Sequence, residues 1–372
     1  MVHSPFAIRR PTVLRSPYLD SETALSLDRS GMLALAGGLA GELLAAWRTI
    51  RPPRFTAPAG GWQALVVAGM GGSATAGDYL AGLTGQAGKI PVIVNRSMDL
   101  PGFVSPRTPV ICCSHSGNTT ETVSCYRRAR SLGAPTYAIR GGGELDRRAV
   151  EDGVDGTLIA GGQAPRAAFG LHLGAVLRVA EGLGVHPESG VERAVTAHQG
   201  LVRDRLGTDI PTGNNPAKAL AQSIRGRIVI VVGAGHLTAA ADRFKNQLAE
   251  NGKSLATSIA LPEAAHNTVS GLDTAGLSAD HMALVTLESR RHYSPELAAT
   301  FDAVLDEFAG EGVPVHRIRL TAETRLAELL EATAWADFVS CYVGLLNGVD
   351  PTPIARIARI KAAVGRELRT DG

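Results

Sequence analysis

Short, continuous apolar runs alternate with glycine-punctuated segments along most of this chain. "ALVVAG", "IPVIVN", "TPVICCS", "TYAIRG" and "GTLIAG" each have the length of a strand. "MGGSATAGDYLAGL" and "HSGNTTETVSCYRRARSLG" read as turns that enter helices, and "RAAFGLHLGAVLRVAEGLG" as a long amphipathic helix. Apolar strands without polar alternation, separated by helices, predict a parallel sheet covered on both faces. From about residue 196 the rhythm restarts. "RIVIVVGAGHLTAAADRFKNQLAENG" repeats the strand, glycine turn and helix, "SLATSIAL", "HMALVTLES" and "VPVHRIRL" add strands, and helices are expected around 294–310 and 323–347. The fold class is therefore α/β, with two tandem doubly wound, flavodoxin-like domains built on parallel sheets. Residues 1–55 are expected to form an amino-terminal arm and a helix, 56–193 the first domain, and 194–372 the second domain with a carboxyl-terminal helix. The arm, residues 1–30, has no period and reads as extended; the helix reads from Ser30 to Ile50 despite its glycines.

Composition removes some function classes. The 372 residues are 45% hydrophobic and 19% charged, with a net charge of only +2, so no global polycation indicates a nucleic-acid or membrane-surface partner. Attraction for anions must be local. No apolar stretch has signal-peptide or membrane-span character, and Cys112, Cys113, Cys125 and Cys341 have no metal-ligand or disulfide spacing, which together predict a cytoplasmic protein with inert thiols.

In doubly wound sheets ligands sit beyond the carboxyl ends of the strands. Two loops there carry candidate chemistry. "CSHSGNTTET" crowds Ser114, Ser116, Asn118, Thr119 and Thr120 around Gly117 at a helix start, where backbone N–H groups and the helix dipole favour a phosphate; simple capping of the helix by Ser and Thr is the plainer alternative. "GMGGSATAGD" fits a degenerate dinucleotide pattern through Gly69, Gly71 and Ala74, but "IPVIVNR" ends in Asn95 and Arg96 rather than the acid an NAD site wants. Gly71, Gly72 and Ser73 read better as the floor and wall of a sugar-phosphate pocket. Farther on, Glu250 falls in the last turn of a helix. The negative helix end disfavours its charge there and suits it to act as a general base, although a solvated surface Glu is the plainer reading. His266, beyond the strand "SLATSIAL", has the chemistry of a proton shuttle, and Glu263 is a rival base.

"SHSGNTTETV" resembles the phosphate-binding segment of sugar isomerase (SIS) domains. "NQLAENGK" followed by "LPEAAHN", with "GQAPRAAFG" and "GVDPTPIARIARIK", resembles segments of the bifunctional phosphoglucose/phosphomannose isomerases, in order across residues 31–368. The resemblance implies two SIS domains, a phosphosugar substrate, a homodimer that shares its active sites, and no metal or organic cofactor. It implies that Glu250 moves a proton between C2 and C1 and that His266, from the neighbouring subunit, assists ring opening. Arg166 would stabilise the enediolate, Lys361 would act near the ring oxygen, and Gly71, Gly72, Ser73, Ser114, Ser116 and Thr119 would hold the substrate and its phosphate. The chain departs from the family pattern at His115, where Tyr is common, and at Ala265, where Asn is usual. Thr352 is the nearest candidate for the Thr that helps admit mannose 6-phosphate. The alternatives are a phosphosugar-sensing SIS protein without turnover and a dinucleotide-dependent oxidoreductase.

Overall fold

A computed structural model describes residues 18–85, 88–185, 190–272 and 280–370, with side chains except at 361 and 365–370. Strands β1 (Leu65–Gly69), β2 (Val92–Asn95), β3 (Val110–Ser114), β4 (Thr136–Arg140) and β5 (Gly156–Leu158) form a parallel sheet in the order β2-β1-β3-β4-β5. β1 and β3 are buried at every position, as their unbroken apolar runs require of central strands. A second parallel sheet contains β6 (Ile228–Ala234), β7 (Ala256–Leu261), β8 (Met282–Ser289) and β9 (Val315–Leu320) in the order β7-β6-β8-β9. Here β8 is fully buried, whereas β7 is an edge strand with only Leu261 buried.

Helices cross between the strands. In chain order they are α1 (Glu22–Leu25), α2 (Met32–Thr49), α3 (Gly71–Thr84), α4 (Thr120–Ser131), α5 (Gly143–Glu151) and α6 (Phe169–Gly182). They continue as α7 (Val191–Leu201), α8 (Pro216–Ile224), α9 (Thr238–Glu250), α10 (Pro295–Gly310), α11 (Arg325–Leu346) and α12 (Ala355–Thr370). α11 is long and apolar enough by composition to cross a membrane, but 89% of its most apolar window is buried, and it serves as the core helix against α7, α8 and α9. α12, by contrast, leaves Ile357, Ile360 and Val364 exposed.

The expected helix over Ser30–Ile50 forms in spite of its glycines because α6 packs directly on it. A Cβ at Gly170 would fall 2.2 Å from the Leu39 carbonyl oxygen, and one at Gly174 would fall 2.3 Å from that of Leu43. Burial of Leu39, Ala40 and Leu43 along this seam outweighs the low helix propensity of glycine.

Residues 18–30 are not the extended arm their composition predicts; residues 1–17 lie outside the described part. Tyr18–Asp20 forms a short 3-10 turn that leads into α1, and Leu19 is fully buried. Asp20 accepts from Lys218 Nζ at 2.8 Å and from the Thr212 backbone at 3.0 Å. Burial pushes the Asp20 carboxyl up, but hydrogen bonds from Lys218 and Thr212 outweigh it and hold the group below its usual value. One ion pair thereby ties a segment without periodicity to α8.

Two measurements check this packing. Gly174→Ala should cost about 1–3 kcal/mol through overpacking of the α2–α6 seam, read as a lowered thermal midpoint; an unchanged midpoint would show that the seam yields freely. Burial also holds two imidazoles neutral, with His172 pushed down to about 3 and His198 to about 4. The unfolded chain takes up these protons near ~6.5. Stability is therefore fully present above that pH and declines as pH falls through the window down to the folded values. His198→Leu should flatten the fall of thermal midpoint between about pH 6.5 and 4.5 relative to the parent; parallel curves would exclude this source of acid sensitivity.

Candidate active site

β3 delivers Ser114 to the carboxyl edge of the first sheet, next to the end of its neighbour β1. Ser114 Oγ and Thr119 Oγ1 are 2.9 Å apart, and Thr119, although it is the residue before α4, makes no side-chain bond to the helix N–H groups. Ser116 Oγ instead accepts from Asn118 N at 3.2 Å. The capping alternative therefore does not describe this loop, and the first amides of α4 have no side-chain cap. Gly117 is required: its φ is +68°, and a Cβ there would fall 1.6 Å from the Gly142 carbonyl oxygen. The loop is also bound to the start of α5, with Glu144 N donating to Asn118 Oδ1 at 2.9 Å and Leu145 N to Gly117 O at 2.8 Å.

The turn after β1 reaches the same edge. α3 begins at Gly71 without a side-chain cap. A Cβ on Gly72 would meet Pro165 O at 3.2 Å and Arg166 Cα at 3.5 Å, so this turn lies against the segment that carries Arg166. His115 reaches that segment from the other loop, its Nε2 lying 3.1 Å from Gln163 O. Gln163 O can only accept, so His115 Nε2 carries the hydrogen. Ser73 is buried beside His172, Oγ to Nε2 3.5 Å.

Arg166 joins these loops to the second domain. It is 4% exposed and donates from Nε to Asn251 Oδ1 (2.6 Å), from Nη1 to Glu250 Oε2 (3.4 Å), and from Nη2 to the carbonyls of Pro351 (2.9 Å) and Thr352 (2.7 Å). Four of its five N–H groups are thus engaged among the described residues, and one on Nη1 remains. Glu250 ends α9 with its side chain 29% exposed. The guanidinium opposes the field of the helix end at this carboxylate. Beneath them Arg243 Nη2 pairs with Asp337 (2.8 and 2.9 Å), and Gln247 donates to the same carboxylate at 2.5 Å.

Sequence reasoning overlooked Lys253, which adopts φ +52° and donates from Nζ to the carbonyls of Glu250 and Pro351. Burial, then the Arg166 charge, pushes its ammonium below the usual value. The only sequence signal was a cation directly after the Asn-Gly helix stop. Thr352 adjoins Arg166, and its Oγ1 is buried without a hydrogen-bond partner among the described residues.

His266 is not brought to Glu250 within one chain. α9 runs antiparallel to β7, so Glu250 stands at the amino edge of the second sheet and His266 beyond its carboxyl edge. The 6 residues of β7 separate them by about 20 Å. His266 is exposed in a 3-10 turn, and Ala265 is half-buried beside it. Lys361 lies on α12, and its side chain is outside the described residues.

Fold and site together define a double SIS-domain protein. Residues 213–364 match the family described as the bacterial phospho-glucose isomerase C-terminal SIS domain. A bifunctional phosphoglucose/phosphomannose isomerase of Caldicellulosiruptor bescii is 34% identical over 300 residues, covering 80% of this chain and 88% of that protein. The enzyme of the same name from Aquifex aeolicus is 30% identical, covering 81% and 90%. A solved glucose-6-phosphate isomerase-like protein of Thermus thermophilus superposes with a TM-score of 0.62 at 19% identity over 92% of this chain and 98% of that one, a likeness of fold. The chain belongs to the bifunctional phosphoglucose/phosphomannose isomerase family, and it is an isomerase.

The loop geometry has a direct check. Gly117→Ala forces the Ser114–Thr119 loop away from α5, because neither the φ nor the space admits a Cβ. A lowered thermal midpoint equivalent to about 1–3 kcal/mol is expected. A variant as stable as the parent would mean that the loop is not held as described.

Proposed function

We propose that the chain interconverts glucose 6-phosphate and mannose 6-phosphate with fructose 6-phosphate through an enediolate, without a metal. The observation that carries this reading is the bridge made by residues 163–166. Its backbone touches both glycine loops, while its Arg166 side chain lies 3.4 Å from the Glu250 carboxylate. A phosphate held by Ser114, Ser116, Thr119 and the free amides of α4 anchors the sugar, with Gly71, Gly72 and Ser73 against its body. Glu250 takes the proton from C2 of the open-chain aldose and returns it to C1, while the hydroxyl proton passes between O1 and O2. Negative charge builds on those oxygens in the enediolate. The Arg166 charge and its remaining Nη1 donor oppose it from a fixed position, which is how a desolvated cation lowers such a barrier.

His266 of one chain is too far from its own Glu250, so ring opening is assigned to His266 of a second copy, and the working unit to a homodimer. Lys361 is assigned to the ring oxygen. Thr352 stands where a buried hydroxyl beside Arg166 can accommodate the epimeric C2 of mannose 6-phosphate. The similarity of the named relatives supports both substrates.

A coupled assay on glucose 6-phosphate and on mannose 6-phosphate tests the reading. Glu250→Gln should lower kcat by about 10²–10⁴-fold and change KM by far less, since general-base transfer is lost and phosphate anchoring is kept. Parent protein that binds fructose 6-phosphate but turns over neither substrate would leave a sensor in place of an enzyme.

A further inference from the structure

The second sheet has a crevice of its own. At its carboxyl edge the loops after the adjacent strands β6 and β8 flank the point where the strand order turns, the position where doubly wound sheets bind ligands. A cavity of about 630 Å³ occupies it, lined by His236 from the β6 turn, by Arg291, His292 and Tyr293 from the β8 loop, and by Arg325 at the start of α11. Among the described residues, none that lines it is acidic. A neighbouring cavity of about 400 Å³ differs in this respect: Glu288 and Asp302 line it and both pair with Arg317, at 2.6 and 2.7 Å.

The walls of the larger cavity are fixed. His236 Nε2 lies 2.9 Å from Oε2 of the fully buried Glu328, whose Oε1 accepts from Ser289 Oγ at 2.8 Å. Ser289 Oγ in turn accepts the His292 backbone N–H at 2.9 Å. Tyr293 OH shares its one hydrogen between the carbonyls of Ala234 and Leu287, at 3.1 and 3.0 Å, and accepts from Ala234 N at 3.2 Å, which ties the two strand ends together. The remaining wall is α3 of the first domain, where a Cβ on Gly82 would come within 3.2 Å of His236 Cα. Ser294 spends its hydroxyl on Leu297 N, capping α10. Recognition here therefore falls to the cationic side chains rather than to a helix terminus.

We propose that this cavity is a second binding site, for a phosphorylated small molecule, separate from the Arg166–Glu250 cleft. Its size suits a hexose phosphate, its described lining carries the Arg291 and Arg325 guanidinium groups and no carboxylate, and its polar floor is held by hydrogen bonds before any ligand arrives. The two sites lie at opposite ends of α3, about 20 Å apart.

Calorimetric titration of fructose 6-phosphate into the full chain, in a Glu250→Gln background that blocks turnover, decides the matter. Two binding events per chain are expected. The double variant Arg291→Gln/Arg325→Gln should weaken one of them at least tenfold, Leu297→Trp should abolish that same event by filling the cavity, and inorganic phosphate should compete for it. In the parent background the Arg double variant should keep kcat within twofold, which also shows that it folds. A single event removed by both cavity variants would uphold this site and overturn the reading of the cleft. Should neither variant remove an event, the second site does not exist.

Discussion

The buried guanidinium of Arg166 is the constraint on which the site depends. Taking such a charge out of water costs several kcal/mol, and a pair with one carboxylate rarely returns more than it costs. The arrangement compensates by number: four hydrogen bonds reach α9, its cap and the 351–352 turn. Only a planar fork of five donors can satisfy acceptors in so many directions, and the compact ammonium of Lys could not. What the fold gains is position. The segment that touches both glycine loops is pinned to the carboxylate at the end of α9. Arg243, stacked 4.2 Å from the Phe169 ring and paired with Asp337, supports the segment from below through the Arg166 carbonyl at 3.5 Å.

That pinning explains why small residues gather around it. Gly72 admits the Arg166 backbone, and Gly117 admits that of Gly142. Each removes a Cβ where two main chains must meet, and the donors thereby exposed are amides at uncapped helix starts. Hydroxyls at Ser114 and Thr119 bond each other instead of the helix, so the first amides of α4 receive no side-chain cap. A well-capped α4 would be more stable and would leave fewer amides for the phosphate that we propose there.

Much of this was legible in the chain. Apolar runs such as "ALVVAG" and "TPVICCS" can be satisfied only by burial on both faces, and that dictates parallel central strands. The loop at Ser114–Thr119 was visible because its residue types crowd within a few positions. Distance in sequence hid the rest. Arg166 lies 84 to 186 residues from its partners, and nothing local to Pro351 or Asn251 announces them. The packing of residues 18–30 escaped for the same reason, since Asp20 finds Lys218 across 198 positions. Glu250 and His266 show the converse relation. They are neighbours in sequence and opposite ends of a sheet in space, because an intervening strand carries the chain from one edge to the other.

The two domains share one plan and have spent it differently. Both place a strand, a glycine turn and a helix beside a second loop at the carboxyl edge, so both form a crevice between adjacent strands. In the first, the helices after β1 and β3 start without side-chain caps, and the phosphate that we propose there would be recognised through main chain and dipole. In the second, Ser294 caps α10 and Arg291 and Arg325 line the crevice instead. Recognition by main-chain amides requires glycine and exact approach, which suits a site where atoms must be placed for proton transfer. Recognition by long cationic side chains tolerates variation in the ligand and suits a site that only binds. The carboxylate that we propose as the base is accordingly brought to the first domain although the second domain supplies it: α9 starts at its own sheet's carboxyl edge and ends, one helix length away, with Glu250 against Arg166.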